Sequence, residues 1–206
     1  MTLQNRVTPF GVIIATTARG AFMGNRGIIH NAETRTLHPV RRWMLKAWLI
    51  CLCSFKGRQR SVMGKGSYTE LFFLDEATAL AAGHRPCFEC RRTDAEAFRV
   101  SFAEGVSFAV PKAPDMDRVL HAERLDGRAK RLHPLPTAPD KLPDSTMVTD
   151  GSDALLAMAG RPWRWAPAGY QRVDRWPKGL MMLTPPSTVA ALSAGYRPHV
   201  DASARA

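Results

Sequence analysis

The chain contains 206 residues, of which 45% are hydrophobic and 23% are charged. This composition excludes an intrinsically disordered protein, because enough apolar side chains are present to bury a core. The length excludes a small disulfide-stapled peptide and allows one large domain or two small ones.

The formal net charge of +11 is concentrated in the first third of the chain. Residues 1–66 contain eleven Lys or Arg and a single acid, Glu33, whereas the charges of residues 67–206 nearly balance. A local excess of positive charge favours a polyanionic partner, and nucleic acid, with DNA first, is the expected one. A basic surface that serves only solubility is the open alternative.

No stretch of about 18 apolar residues is present, so neither a membrane span nor a membrane partner is predicted. Residues 1–14 also lack the basic start, the apolar stretch and the small-residue cleavage site of a signal peptide. We therefore expect a cytoplasmic protein. In that reducing compartment, four cysteines more often serve metal binding or catalysis than disulfide formation.

The first elements predicted along the chain are short strands. Residues 7–17 predict a strand, and residues 19–27, with three glycines and two arginines, predict a turn cluster or a phosphate-binding loop. A helix over 40–54 and a strand over 47–55 are both compatible with the apolar spacing there. Residues 56–66 predict a basic loop, and residues 68–74 predict another strand.

Helices follow these strands. Asp75 is a favourable N-cap for a helix that stops at Gly83. Thr93 and Glu96 have the spacing of a capping box and predict a second helix that ends at Gly105. Beyond it we expect a short helical piece near 115–125, then short strands and a terminal helix.

The four cysteines occur as a C-x-C pair and a C-x-x-C pair, with 33 residues between the pairs. Two close pairs of thiolates can share one tetrahedral ion, so a zinc site is predicted from Cys51, Cys53, Cys87 and Cys90. If one residue of the first pair does not ligate, a histidine would complete the site, and the candidates are His30 and His84. Unligated thiols and a redox pair stay open as alternatives.

Residues 72–91 read FFLDEATALAAGHRPCFECR. Over about residues 68–92 the chain resembles the second half of the zinc-binding domain of the Ada DNA-repair family. That family has a strand, an acid-capped helix, an Ala-Ala-Gly-aromatic-Arg-Pro stop and a C-x-x-C pair with basic residues. The resemblance implies nucleic-acid-related function. The family's other two ligands form a C-x-x-x-C pair, whose first thiolate accepts a methyl group from DNA phosphate; Cys51 and Cys53 lie at roughly that place with a different spacing.

The leading expectation is a zinc-binding protein that binds nucleic acid through a basic N-terminal surface, in DNA repair or regulation. The expected phosphate contacts are Arg41, Arg42, Lys56, Arg58, Arg60, Lys65, Arg91 and Arg92. One alternative is an enzyme acting on nucleic acid: an alkyl acceptor using Cys51 or Cys53, or a hydrolase using His121 and Glu123. Another alternative is a protein-interaction module in which zinc is purely structural.

The predicted fold class is α+β. Residues 1–110 are expected to form a small zinc-stabilised module with a helix and a zinc knuckle. Residues 111–143 are expected to form a proline-rich connector, and residues 144–206 a C-terminal βα unit packed on the first module.

Overall fold

A computed structural model describes residues 2–58, 61–106 and 109–205 of the chain. In chain order, the strands are β1 Gln4–Val7, β2 Ile13–Ala15, β3 Phe22–Asn25, β4 His30–Asn31, β5 Thr36–Leu37, β6 Leu49–Leu52, β7 Leu71–Phe73, β8 Arg85–Pro86, β9 Leu125–Asp126, β10 Ala129–Lys130, β11 Met147–Thr149, β12 Ala154–Met158, β13 Arg161–Ala166, β14 Gly169–Arg172 and β15 Met181–Met182. The α-helices are α1 Glu76–Ala81, α2 Arg92–Gly105, α3 Ala113–Arg124 and α4 Pro186–Ser193, and short 3₁₀ helices span Pro139–Lys141 and Ala202–Arg205.

The first sheet has six strands in the order β2-β1-β7-β3-β6-β8. Strand β1 runs parallel to β7 and β6 runs parallel to β8, whereas the other pairs are antiparallel. Strand β3 fits between β6 and β7 because Gly24 has no side chain: a Cβ there would lie 2.0 Å from the carbonyl oxygen of Leu49. The segment 19–27, expected to be a turn cluster or a loop, therefore contains a central strand.

The second sheet has five antiparallel strands in the order β14-β13-β12-β11-β15. Two further pairs, β4 with β5 and β9 with β10, form separate two-stranded ladders. The short strands expected after the helices are thus present, as β11 to β14.

Helix α1 begins as the sequence predicts. Asp75 is its N-cap and accepts a hydrogen bond from the amide of Thr78 at 2.8 Å. The hydroxyl of Tyr170 donates to the second carboxylate oxygen of Asp75 at 2.9 Å, which ties the helix start to the second sheet. Gly83 follows the helix with a φ of +89°, a conformation that a side chain would strain.

The capping box predicted for α2 is wrong. The helix begins at Arg92 with Arg91 as its N-cap, and no side chain caps it. The reason is the preceding C-x-x-C turn, in which the amide of Arg91 already donates to the carbonyl of Cys87 at 3.0 Å. The helix continues directly from this turn, and Glu96 pairs with Arg99 at 2.7 Å instead of reaching back to Thr93. The predicted end at Gly105 is confirmed.

The core joins both sheets through α1, whose six residues are all buried. Leu80 packs among side chains of the first sheet and of helices α2, α3 and α4. Ala77 and Ala81 pack instead against the second sheet, beside Leu156 and Trp163. Buried side chains of α3 and α4 belong to the core of the first sheet, so this core crosses the expected boundaries at 110 and 143.

The α+β prediction is confirmed, because helices and several sheets occur together. The N-terminal part of the chain is mostly sheet, with helices α1 and α2 beside it. A small zinc-stabilised module in this part of the chain stays a prediction. No helix in the described ranges is both long enough and apolar enough to cross a membrane.

Candidate metal centre

Two strands at the edge of the first sheet bring the cysteine pairs together. Strand β8 pairs with β6 so that Pro86 lies opposite Ile50. The amide of Cys87 donates to the carbonyl of Ile50 at 2.9 Å. Proline is tolerated in β8 because an edge strand does not need every amide for pairing. The pairing places Cys87 beside Cys51, the residue that follows Ile50.

Three thiols form a cluster at this end of the sheet. The Sγ atoms of Cys51, Cys87 and Cys90 all lie within 4.8 Å of one another. Sulfurs around a tetrahedral zinc ion, at bond lengths of about 2.3 Å, are separated by about 3.8 Å. Small side-chain adjustments therefore bring the three sulfurs to ligand positions, and the cluster can hold a metal ion. This part of the four-cysteine prediction is confirmed.

The C-x-x-C turn directs a backbone amide at one of these sulfurs. The amide of Glu89 donates to Sγ of Cys87 at 3.4 Å. Such donors stabilise the negative charge of a thiolate, which is the form that binds a metal. The turn thus has the features of the knuckle that the sequence predicts, although no side chain caps the helix after it.

The close approach of the three thiols shifts their pKa values in opposite directions. A proton on Cys51 stabilises negative charge on the neighbouring sulfurs, which raises the pKa of Cys51 and lowers the pKa of Cys87. The same proton lowers the pKa of Cys90. Loss of the protons of Cys87 and Cys90 is thereby favoured, and the thiolate is the form that binds a metal.

The fourth predicted ligand lies apart from this cluster. Cys53 is exposed, and its thiol donates to the carbonyl of Ala21 at 3.4 Å. Neither alternative histidine joins the three thiols. His30 contacts Thr69 and a loop carbonyl, and buried His84 accepts from Arg26 at 3.3 Å. Among the described residues, three ligands are thus brought together and the fourth is not.

A cavity of about 400 Å³ opens beside the three thiols. Cys53 lines this cavity together with all three clustered cysteines. Its other described walls include Phe55, Arg58 and Glu70. The cavity walls partly remove the sulfur of Cys53 from water, which raises its pKa, and the charge of Arg6 opposes that shift. We call this space the metal-side cavity.

Most of the predicted phosphate contacts are accessible to solvent. The exposed ones are Arg41, Arg42, Lys56, Arg58, Lys65 and Arg92. Arg58 pairs with Glu89 at 2.7 Å on the surface, between the basic loop and the C-x-x-C turn. Arg60 lies outside the described residues. Of these exposed cations, Arg58 lines the metal-side cavity, whereas Arg41 and Arg42 lie on a separate loop.

The expected phosphate contact of Arg91 is corrected by its burial. Its side chain is 4% exposed and pairs with Glu76 at 2.8 Å and with Asp94 at 3.0 Å. The guanidinium also lies over the ring of Phe22, at 4.6 Å from its centre. These contacts hold the guanidinium group of Arg91 inside the protein, away from solvent. Arg91 was among the predicted phosphate contacts because sequence alone does not distinguish it from its exposed neighbour Arg92.

The histidine and glutamate considered for a hydrolase face different partners. They are two residues apart on α3, a spacing that separates side chains on a helix. His121 accepts from Arg124 at 2.9 Å and packs against Trp43. Glu123 instead accepts from the hydroxyl of Ser187 at 2.6 Å. The geometry gives no support to an acid–base pair.

Sequence reasoning missed the apolar and acidic walls of the metal-side cavity. Phe55 precedes the basic loop and Glu70 precedes β7, and no motif links them, so only the fold brings both to the cavity beside the cysteines. Comparisons with protein-family models, with curated proteins and with solved structures gave no match.

Proposed function

We propose that this chain is a zinc-binding protein that binds nucleic acid through the basic surface beside its metal centre. The observation that carries the proposal is the convergence of Cys51, Cys87 and Cys90 beside an open cavity. Cytoplasmic location, a role in DNA repair or regulation, and kinship with the Ada family belong to the same proposal, and the resemblance over residues 68–92 supports them.

Zinc is the metal we propose because the donor set is made of thiolates. Soft sulfur ligands favour zinc over magnesium, calcium or manganese, and a tetrahedral all-sulfur site is typical of structural zinc. We propose Cys53 as the fourth ligand, since it lines the same cavity as the three clustered thiols. Its present hydrogen bond to the carbonyl of Ala21 is weak, because a thiol is a poor donor, and a movement of the segment after β6 would exchange that bond for a metal bond.

The nucleic-acid surface is proposed to consist of the exposed cations near the metal-side cavity. Lys56 and Arg58 lie on the loop that borders it, and Arg92 begins the helix after the C-x-x-C turn. A metal ion held by both cysteine pairs would fix the loop and the turn relative to each other. The cations would then present a defined pattern to phosphate groups.

Fluorescence anisotropy with labelled 20-nucleotide strands tests this surface. We expect binding that weakens steeply with salt, because each phosphate contact releases counterions. The triple variant Lys56→Ala/Arg58→Ala/Lys65→Ala should lower the salt slope by about 2 for single-stranded DNA. The matched control is Arg172→Ala/Arg175→Ala/Lys178→Ala, which removes three exposed cations from the C-terminal part of the chain and should leave the slope unchanged.

Two results would redirect the proposal. Absence of binding to DNA and RNA at physiological salt contradicts it and favours a protein-interaction module with a structural metal. Equal loss of affinity in the triple variant and in its control contradicts a surface located beside the metal centre, because binding would then follow net charge alone.

An alkyl acceptor is the second candidate, favoured by the exposure of Cys53 next to the cluster. Such an activity transfers a methyl group to a thiolate, and the protein gains the mass of that group. Mass spectrometry after incubation with methylated DNA should place the added methyl on Cys53. Unmodified Cys53 after prolonged incubation with zinc-loaded protein contradicts this candidate and leaves binding untouched.

A further inference from the structure

A second cavity, which shares no described lining residue with the metal-side cavity, is surrounded by positive charge. Its volume is about 600 Å³, and it lies where residues 10–13 and 37–43 meet the end of α3 and the β9–β10 ladder. No Asp or Glu occurs among its described lining residues. The cations that line it are Arg26, Arg42, Arg124, Arg128 and Lys130. We call this space the arginine cavity.

Two of these arginines are buried and stack on one indole. Arg26 is 2% exposed and Arg124 is 1% exposed. Their guanidinium carbons lie 3.8 and 3.9 Å from the centre of the Trp48 ring. Two planar guanidinium groups have no room on the same face at that distance, so they sandwich the indole. These contacts hold both charges in fixed positions at the cavity wall.

Neither guanidinium has an anionic partner in the described part of the chain. Arg26 and Arg124 donate to backbone carbonyls, whereas Nη2 of Arg26 and Nε of Arg124 are buried without any hydrogen bond. A buried charge without a counter-ion is costly, and buried arginines are usually paired. Arg85 illustrates the usual case, since Asp117 accepts from it at 2.8 and 2.7 Å.

Burial without a bound counter-ion lowers the pKa values of three cations that line the arginine cavity. Burial, and then the charge of Arg124, lowers the pKa of Arg26 well below its ordinary value. Burial lowers the pKa of Arg124 to about 9, although the charge of Asp117, which pairs with Arg85, opposes this shift. Burial, together with the charges of the two arginines, lowers the pKa of Lys130 to about 7. An anion in the cavity would oppose all three shifts, because it supplies the missing opposite charge.

The other walls offer aromatic surface beside the cations. Phe10 and Trp43 line the cavity, and the ring of Trp43 lies 6.2 Å from that of Trp48. Guanidinium forks bind phosphate oxygens in pairs, and aromatic faces stack on bases. We propose that the arginine cavity binds a nucleotide, with its phosphate near Arg26 and Arg124 and its base against Trp43. The nucleotide is either free or the terminal unit of a strand.

Isothermal titration of the full chain as purified, with its zinc content measured, tests this site. The probes are AMP, adenosine, inorganic phosphate, and a short single-stranded DNA with and without a 5′-phosphate. We expect AMP to bind at least about tenfold more tightly than adenosine, because one charge-assisted contact is worth that factor. Tighter binding of the 5′-phosphorylated strand than of AMP would identify a strand end as the source, and the reverse order a free nucleotide.

Variants locate the binding within the cavity. Arg42→Ala/Arg128→Ala changes two exposed rim residues, and we expect it to weaken AMP binding about tenfold or more. Arg172→Ala/Arg175→Ala, which removes two exposed cations outside the cavity, is the matched control and should bind AMP as the wild type does. Arg26→Met removes a buried cation and should abolish binding if the variant folds. If it does not fold, the rim variant decides the question.

Several results would overturn the inference. They are equal affinity for AMP and adenosine, no binding of either AMP or the phosphorylated strand at millimolar concentration, and unchanged AMP affinity in the rim variant. The inference does not depend on the metal centre. If the protein lacks zinc but binds AMP, only the proposed function is contradicted. If it contains zinc and binds duplex DNA, but binds neither AMP nor the phosphorylated strand, only the nucleotide site is contradicted.

Discussion

Replacement of Arg91 by methionine tests the assignment of this residue to the interior. Methionine keeps much of the volume of the side chain and removes its charge. The carboxylate of Glu76 then loses the ion pair at 2.8 Å in a region where both side chains are at most 4% exposed. Breaking a buried pair from one side costs about 3–5 kcal/mol, because the remaining charge stays buried.

The structure places the expected cost at the lower end of this range. Glu76 retains two hydrogen bonds, from the hydroxyl of Tyr196 at 2.6 Å and from the amide of His199 at 3.0 Å. We therefore expect the free energy of unfolding to fall by about 3 kcal/mol. With a urea dependence of about 2 kcal/mol per molar, the unfolding midpoint should fall by about 1.5 M.

Urea titration at pH 7, followed by circular dichroism, measures this change. The matched control is Arg92→Met at the neighbouring exposed position, which should change stability by no more than about 0.5 kcal/mol. The double variant Arg91→Met/Glu76→Gln should recover about 1–2 kcal/mol, since it removes the unpaired charge. A stability change below about 0.5 kcal/mol in Arg91→Met, combined with weaker binding to DNA, would refute the reasoning.

Three further predictions concern the cap, the cluster and the exposed thiol. Asp75→Ala should lower the free energy of unfolding by about 2–4 kcal/mol in urea titrations, because it removes the cap of α1 and leaves the Tyr170 hydroxyl without its acceptor. A change below about 1 kcal/mol contradicts the role of Asp75 as a stabilising cap. Zinc affinity, measured by competition with a chelator, should fall as the pH is lowered from 8 to 5, because the raised pKa of Cys51 means that this thiol must release its proton to bind the metal; affinity that does not vary over this range contradicts ligation by Cys51. Bound zinc should slow the modification of all four cysteines by iodoacetamide, that of exposed Cys53 included, because the metal holds each thiolate; equal rates with and without zinc contradict a metal-protected cluster.

Local signals in the sequence predicted the elements that depend on neighbouring residues. The N-cap at Asp75 and the stop at Gly83 follow from side-chain and backbone preferences over a few positions, and both are confirmed. The approach of Cys51 to Cys87 was also predictable, because two close pairs of thiols in one chain favour one site. The capping box failed because the C-x-x-C turn already fixes the start of α2.

Features that depend on long-range pairing were not accessible from the sequence. Gly24 resembles a loop glycine, but it is required inside a strand because the backbone at Leu49 approaches it. Arg26 and Arg124 are 98 positions apart and belong to no motif. Only the fold brings them to the two faces of Trp48. The opposite placements of Arg91 and Arg92 likewise depend on which side of α2 faces the core.

The central claim is that Cys51, Cys87 and Cys90 hold a zinc ion, and elemental analysis of the purified protein tests it most directly. The wild type should contain about one zinc per chain, as expected for a single thiolate site. Cys87→Ser and Cys90→Ser should lose it, whereas Cys53→Ser should retain zinc with lower affinity. Wild-type protein without stoichiometric zinc, or Cys87→Ser with undiminished zinc, would contradict the account.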